Sequence, residues 1–172
     1  MNLFYHQHIP ADFHASSKVW IYQSSRLFSI SEALQLEPMF DEFVQNWKSH
    51  GTPVKGFAGL LFGQFIVIMA DETATGVSGC STDSSVRLIK QIEQEFKINL
   101  FDRQTLAFIV KDKIELLPFS QFAYAVHNNF IYADTLFFNN LVATKEQLLH
   151  NWIVPLKESW LASKLKKAMA VV

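Results

Sequence analysis

The chain has 172 residues, with 15 Lys and Arg against 16 Asp and Glu, and a formal charge of −1. Leu, Ile, Val and Phe supply 58 of those residues, which excludes a disordered chain, since such chains are poor in these types and strongly charged. The even charge balance lacks the basic excess of a general nucleic-acid binder. The length fits one domain, and the chain is read as a single α+β domain over 1–172, with 1–16 flexible and 164–172 frayed. Cys80 is the one cysteine, so an intrachain disulfide is excluded and a reducing compartment fits. The N-terminus has no basic stretch followed by an apolar one, so no signal peptide is read. The longest apolar run, 57–70, falls short of the ~20 residues that span a bilayer as a helix. The expected location is cytoplasmic.

In chain order, 18–23 reads as a first strand, rich in β-branched and aromatic residues. Ser29 and Glu32 fit a capping box, and Leu36, Met39, Phe40, Phe43, Val44 and Trp47 follow at helical spacing. Pro38 lies inside that pattern and predicts a kink or restart; Gly51 and Pro53 end the helix. Strands at 54–62 and 65–70 flank Gly63-Gln64, which suits a type II′ hairpin pairing Phe62 with Phe65 and Leu60 with Val67. A polar loop leads to a helix at 82–97, with Leu88, Ile89, Ile92 and Phe96 inward. A strand at 105–110 turns at 111–113 and pairs back over 114–117. The sum is a mixed or antiparallel sheet in the ferredoxin-like βαββαβ order, an extra strand and a helical C-terminal region. In that region Ser120 starts a short helix and Thr144 with Gln147 caps another. A helical stripe follows through Leu149, Trp152, Ile153, Leu156 and Trp160, with a break at Pro155. The first four strands are apolar on both faces, so the face away from the two helices needs cover from the C-terminal helices or a second subunit.

The segment 78–85, Ser-Gly-Cys-Ser-Thr-Asp-Ser-Ser, is the most suggestive for chemistry. It enters a helix whose first amides lack intrahelical partners, a setting that attracts anions and lowers a thiol's pKa. Cys80 is therefore the candidate catalytic nucleophile, and Ser81, Thr82, Asp83 and Ser84 the candidate anion-binding residues. The plainer alternative makes Ser81 or Thr82 an N-cap and Cys80 a packing residue. A thiol enzyme needs a base; His127 or His150 would serve if close, oriented by Asp71 or Glu72. His6, His8 and His14 form a loose cluster without the ligand frame of a zinc site, so no metal is expected. Asn139-Asn140 fits Asx-type turns or a ligand contact, and Asp102-Arg103 an ion pair or cap. Lys164, Lys166 and Lys167 suit a helix C-terminus. There is no GxGxxG, HExxH, GxSxG or Walker A pattern.

Four strings are distinctive together: Val19-Trp20-Ile21-Tyr22-Gln23, Gly79-Cys80-Ser81-Thr82-Asp83-Ser84-Ser85-Val86, Phe101-Asp102-Arg103, and Phe138-Asn139-Asn140-Leu141-Val142-Ala143-Thr144-Lys145. Through them the chain, from about 17 to 161, resembles a family of small uncharacterised bacterial proteins. Some members carry the label "ABC transporter ATPase". The resemblance implies a bacterial, cytoplasmic protein. The label's activity does not carry over, because such an ATPase needs a glycine loop with a Lys and a Ser/Thr for phosphate and Mg²⁺. The expected function is a non-catalytic binding or assembly module. The alternative is a small enzyme or anion-binding protein using the Cys80 loop. No cofactor is expected. The expected partner is a protein or a small anionic ligand; membrane and nucleic acid are not expected, and a homodimer stays open.

Overall fold

A computed structural model describes residues 2–170, the side chain of Cys80 excepted. The protein is α+β with antiparallel sheets. The chain packs as two compact units. The first is Asn2–Phe101 with Leu141–Leu149; the second is Asp102–Asn140 with the chain from His150 onward.

The first unit is built on β1 (Lys18–Gln23), β4 (Lys55–Leu61) and β5 (Phe65–Asp71), in the order β1-β5-β4. β5 is bonded on both sides, and all seven of its residues are buried. Trp20, Tyr22, Ala58, Leu60, Ile66, Ile68 and Ala70 face α1 (Ile30–Asn46) and α2 (Gly79–Phe96), forming one core with Leu36, Phe40, Trp47, Ile89 and Ile92. On the opposite face Val19, Ile21, Phe65, Val67 and Met69 are equally buried, as the doubly apolar strands predict.

The N-terminal stretch, expected to be flexible, is bonded into this unit. Tyr5 hydroxyl donates to the Leu148 carbonyl at 2.7 Å, and its ring meets Phe62 edge-on. The buried Lys145 ammonium donates to the carbonyls of Ala11 and Phe13. Lys55 pairs with Asp12 at 2.9 Å, and the His14 amide donates to Asp71. These are side-chain-to-backbone ties, which leave no periodic signature in sequence.

The Ser29–Glu32 capping box forms as predicted. The helix runs unbroken through Pro38, however. Proline deprives the Leu34 carbonyl of its partner, but Leu34 lies on the exposed side of the helix, where a carbonyl without an intrahelical partner costs little. A two-strand hairpin, β2 (Lys48–Ser49) and β3 (Thr52–Pro53), follows around His50-Gly51, both with positive φ. The β4–β5 register is Leu61↔Phe65, Leu60↔Ile66 and Gly59↔Val67, one residue away from the prediction. Phe62 and Gly63 take the two positive-φ positions, a type I′ pattern. Gln64 is the extra loop residue. It turns inward, bonding its side-chain amide to the Ser24 carbonyl while its own carbonyl accepts from Ser24 N–H.

The ferredoxin-like closure is not formed by the hydrogen bonding. The strand after α2, β6 (Thr105–Val110), belongs to a second sheet with β7 (Lys113–Pro118), β8 (Leu136–Phe138) and β9 (Ile153–Pro155), in the order β7-β6-β8-β9. The outer edge of β1 is met instead by residues 143 and 144, with Val19 N–H donating to the Ala143 carbonyl at 2.9 Å.

In the second unit Leu106, Phe108 and Phe137 pack with α3 (Phe122–His127) and α5 (Ala162–Met169) through Phe122, Ala125, Val126, Leu165 and Ala168. In the first unit α4 (Lys145–Asn151), whose last two residues pass into the second, is capped as predicted: Thr144 Oγ1 accepts from Gln147 N–H, and Gln147 Oε1 from Ala143 N–H. The stripe beyond it is not one continuous helix: a strand comes first, and only Leu156–Glu158 form a 3-10 turn. Ile153 and Val154 are β-branched and pair with β8, and Pro155 ends this edge strand, a position where its missing donor is tolerated. Trp152 and Leu156 are fully buried, as their apolar character requires.

Candidate functional site

The segment around Cys80 lies at the start of α2, which opens three residues earlier than predicted. Ser78 is the N-cap, its hydroxyl accepting from Ser81 N–H, and Thr82 N–H already donates to the Ser78 carbonyl at 3.0 Å. Ser81 and Thr82 are thus in the helix, not before it. Ser81 is fully buried; its hydroxyl donates to the Ser78 carbonyl at 2.8 Å, and its carbonyl accepts from Trp47 Nε1. Thr82 Oγ1 donates to the same Ser78 carbonyl. Ser84 Oγ accepts from Arg87 at 2.8 Å. Asp83 is exposed. The Ser81 and Thr82 hydroxyls return to the Ser78 carbonyl, because short polar side chains in a first turn reach such groups first. The Cys80 thiol lies outside the described side chains.

The other predicted residues are held in structural bonds. Burial alone would raise the Asp71 carboxyl, but Thr73, the His14 amide and Lys55 outweigh it and hold it well below the usual carboxylate range. Glu72 accepts from Val77 N–H and pairs with Lys18, closing the loop before α2. His127 Nε2 lies 2.6 Å from the Ala168 carbonyl. His6 Nε2 lies 2.9 Å from the Leu149 carbonyl, and His14 Nδ1 2.7 Å from Ser16 Oγ. Among the described residues no His, Cys, Asp and Glu group is arranged to hold a metal ion. Asn139 N–H donates to the Trp152 carbonyl and Asn140 Oδ1 accepts from Trp152 Nε1; the pair seats a buried tryptophan. Asp102 accepts from Gln104 N–H and Thr105 Oγ1, starting β6.

A site with no counterpart among the predicted residues runs along β4. This strand ends its sheet, and the parity of its bonds can be derived. Val19 N–H points away from β5, so Lys18, Trp20 and Tyr22 are the β1 residues bonded to β5. Their β5 partners Ile66, Ile68 and Ala70 then turn toward β1, and Phe65, Val67, Met69 and Asp71 toward β4. On β4 the residues facing β5 are therefore Lys55, Phe57, Gly59 and Leu61. Gly56, Ala58 and Leu60 turn N–H and C=O outward. Val54, two residues earlier, obeys the same parity: its N–H donates outward to the Trp47 carbonyl at 3.0 Å. Among the described residues nothing accepts from or donates to the outward groups of Ala58 and Leu60.

A groove of about 400 Å³ follows this edge, bordered by 57–61 on the strand, by Ala33, Glu37 and Asp41 of α1, and by His8. Strand residues 56–60 are only half-buried, unlike those of β5. Glu37 and Asp41, both exposed, are four apart on α1 and make no ion pair among the described residues. A like-charged pair at this spacing slightly destabilises a helix. The sequence signal was present in the apolar run 57–61 with no polar alternation, but an edge and a centre strand read alike. No helix among the described residues is long and apolar enough to cross a membrane. Compared with protein-family models, curated proteins and solved structures, the chain matches none.

Proposed function

We propose that the protein is a non-catalytic binding module that takes an extended chain segment as an added strand on the open edge of β4. The carrying observation is the outward hydrogen-bonding array at Ala58 and Leu60 beside a groove. Strand addition supplies affinity through main-chain bonds, and an edge left open in a folded protein is otherwise an association hazard. The other end of the sheet differs, since Ala143 already accepts from the outer edge of β1. The residues of the catalytic alternative support the binding reading too, because Asp71, Glu72, Ser81, Thr82 and His127 are each engaged in bonds that hold the fold.

Amide hydrogen exchange by NMR tests the proposal. In the free protein Ala58 and Leu60 amides exchange fast, and Phe57 and Gly59 amides slowly. Linear peptides selected on the wild-type protein from a random display library then protect Ala58 and Leu60 on binding and lose affinity for Ala58→Pro, whose fold is checked by circular dichroism. Selected peptides that leave both amides unprotected, or slow exchange at Ala58 and Leu60 before any peptide is added, overturn it.

A further inference from the structure

Resting on the edge-docking reading, we infer that the docked segment is basic, with Lys or Arg at alternate positions facing α1. Ala33, Glu37 and Asp41 succeed one another at intervals of four along one side of the helix, and 57–61 runs along the other border of the same groove. Helix and strand therefore run side by side over this stretch. Positions four apart on a helix stand about 6 Å apart, and alternate residues of a strand about 6.6 Å apart. A segment bonded to Ala58 and Leu60 thus brings two successive same-face side chains level with Glu37 and Asp41. Two cations there neutralise the like-charged pair and relieve the repulsion within α1. The same charges disfavour a second copy of this chain on the edge. A symmetric β4–β4 pairing would bring Glu37 and Asp41 of both copies to one groove, a like-charge juxtaposition. The occupant that fits is a different, extended and basic chain segment.

Fluorescence anisotropy with three labelled heptapeptides tests the inference, each acetylated, amidated and alternating valine with lysine, glutamate or serine. At low ionic strength (about 50 mM) the lysine peptide binds about tenfold or more tighter than the glutamate peptide, and added salt shrinks the gap. Changing both exposed acids, Glu37→Lys with Asp41→Lys, reverses the order, so that glutamate binds best. If the three peptides bind alike to the wild type and all are lost with Ala58→Pro, the edge is a docking site but the charge inference falls. If the lysine preference persists undiminished in Ala58→Pro, binding does not use the edge, and the edge-docking reading falls together with this inference. Binding of none of the three overturns the inference. So does sedimentation of the unliganded chain at twice its mass with Ala58 and Leu60 amides protected, because a second copy then holds the edge.

Discussion

Gly56 is the tightest packing constraint along the edge strand, and Gly56→Ala tests it. A Cβ built there would overlap Cε3 of Trp47 and stand 2.9 Å from Cζ3. Trp47 is not a side chain that yields. It is 2% exposed, its Nε1 donates to the Ser81 carbonyl at 2.8 Å, and its ring lies 4.8 Å from Phe43 and 6.4 Å from Trp20. Overfilling a packed core costs about 1–3 kcal/mol. If the indole swings aside instead, the buried Ser81 carbonyl loses its donor at a similar cost of about 1–3 kcal/mol. Against this, alanine stabilises a strand by about 0.5–1 kcal/mol over glycine. The net expectation is a loss of about 1 kcal/mol. With a urea slope of about 2 kcal/mol per molar, the unfolding midpoint followed by circular dichroism falls by about 0.5 M. Trp47→Leu costs less in the Gly56→Ala background than in the wild type, with a coupling of about 1 kcal/mol. A Gly56→Ala midpoint equal to or above wild type refutes the close approach.

Asp71→Ala leaves the Thr73 and His14 donors and Lys55 without their acceptor, so a loss of about 2–4 kcal/mol at pH 7 is expected in the same titration. Because the folded-state carboxyl of Asp71 lies below its ordinary value of 3.8, its contribution is complete above that value and disappears as pH falls through and below it. Wild type therefore loses more stability than Asp71→Asn between pH 5 and pH 2 (approximate limits), and parallel curves would contradict this. Lys145→Met removes the donor to the Ala11 and Phe13 carbonyls. Limited proteolysis should then cut within 5–17 well before the rest of the chain; an unchanged cleavage pattern counts against the anchoring role. Tyr5, pushed up to about 12 by burial, folds as the neutral phenol. Its contribution is complete below the ordinary 10.0 and is lost as pH rises toward 12, so Tyr5→Phe should flatten the alkaline fall in stability.

The elements that local chemistry specifies were legible in sequence. The Ser29–Glu32 box, the Thr144–Gln147 cap and the strand 105–110 depend on residues within a few positions of each other, and all three form. What failed depends on distant partners or on a choice between two periods. The β4–β5 register slipped because Gly63-Gln64 and Phe62-Gly63 both offer a two-residue turn. The decision came from Gln64, whose inward amide meets Ser24, a residue forty positions away. The helical stripe at 149–160 had the right buried residues and the wrong period. Trp152 and Leu156 are equally apolar on a helix or beside an edge strand, and pairing of Ile153 and Val154 with β8 settled it. The N-terminal segment carries no periodic pattern, because its anchors are Lys145, Asp71 and Lys55 reaching across from elsewhere in the unit.

The groove was hidden from sequence for a related reason. Lys-Gly-Phe-Ala-Gly-Leu-Leu at 55–61 is written like a strand with neighbours on both sides, and only the order β1-β5-β4 leaves it at the end. Two glycines in it point to close approach on the faces, not to the edge: Gly56 makes room for Trp47, and Gly59 for the ring of Phe57, which an added Cβ would meet at 2.8 Å. Glu37 and Asp41 looked like a solvated helix face. Their meaning changes only when α1 is laid beside a row of outward amides and carbonyls. The segment at Cys80 drew attention because hydroxyl-rich helix starts are visible locally, yet its Ser81 and Thr82 hydroxyls close on the Ser78 carbonyl. Bonds that a short polar side chain can make within its own turn form without any ligand. The outward groups of Ala58 and Leu60 have no such local partner, because a strand cannot bond to itself; under the docking proposal a neighbour of extended backbone satisfies them.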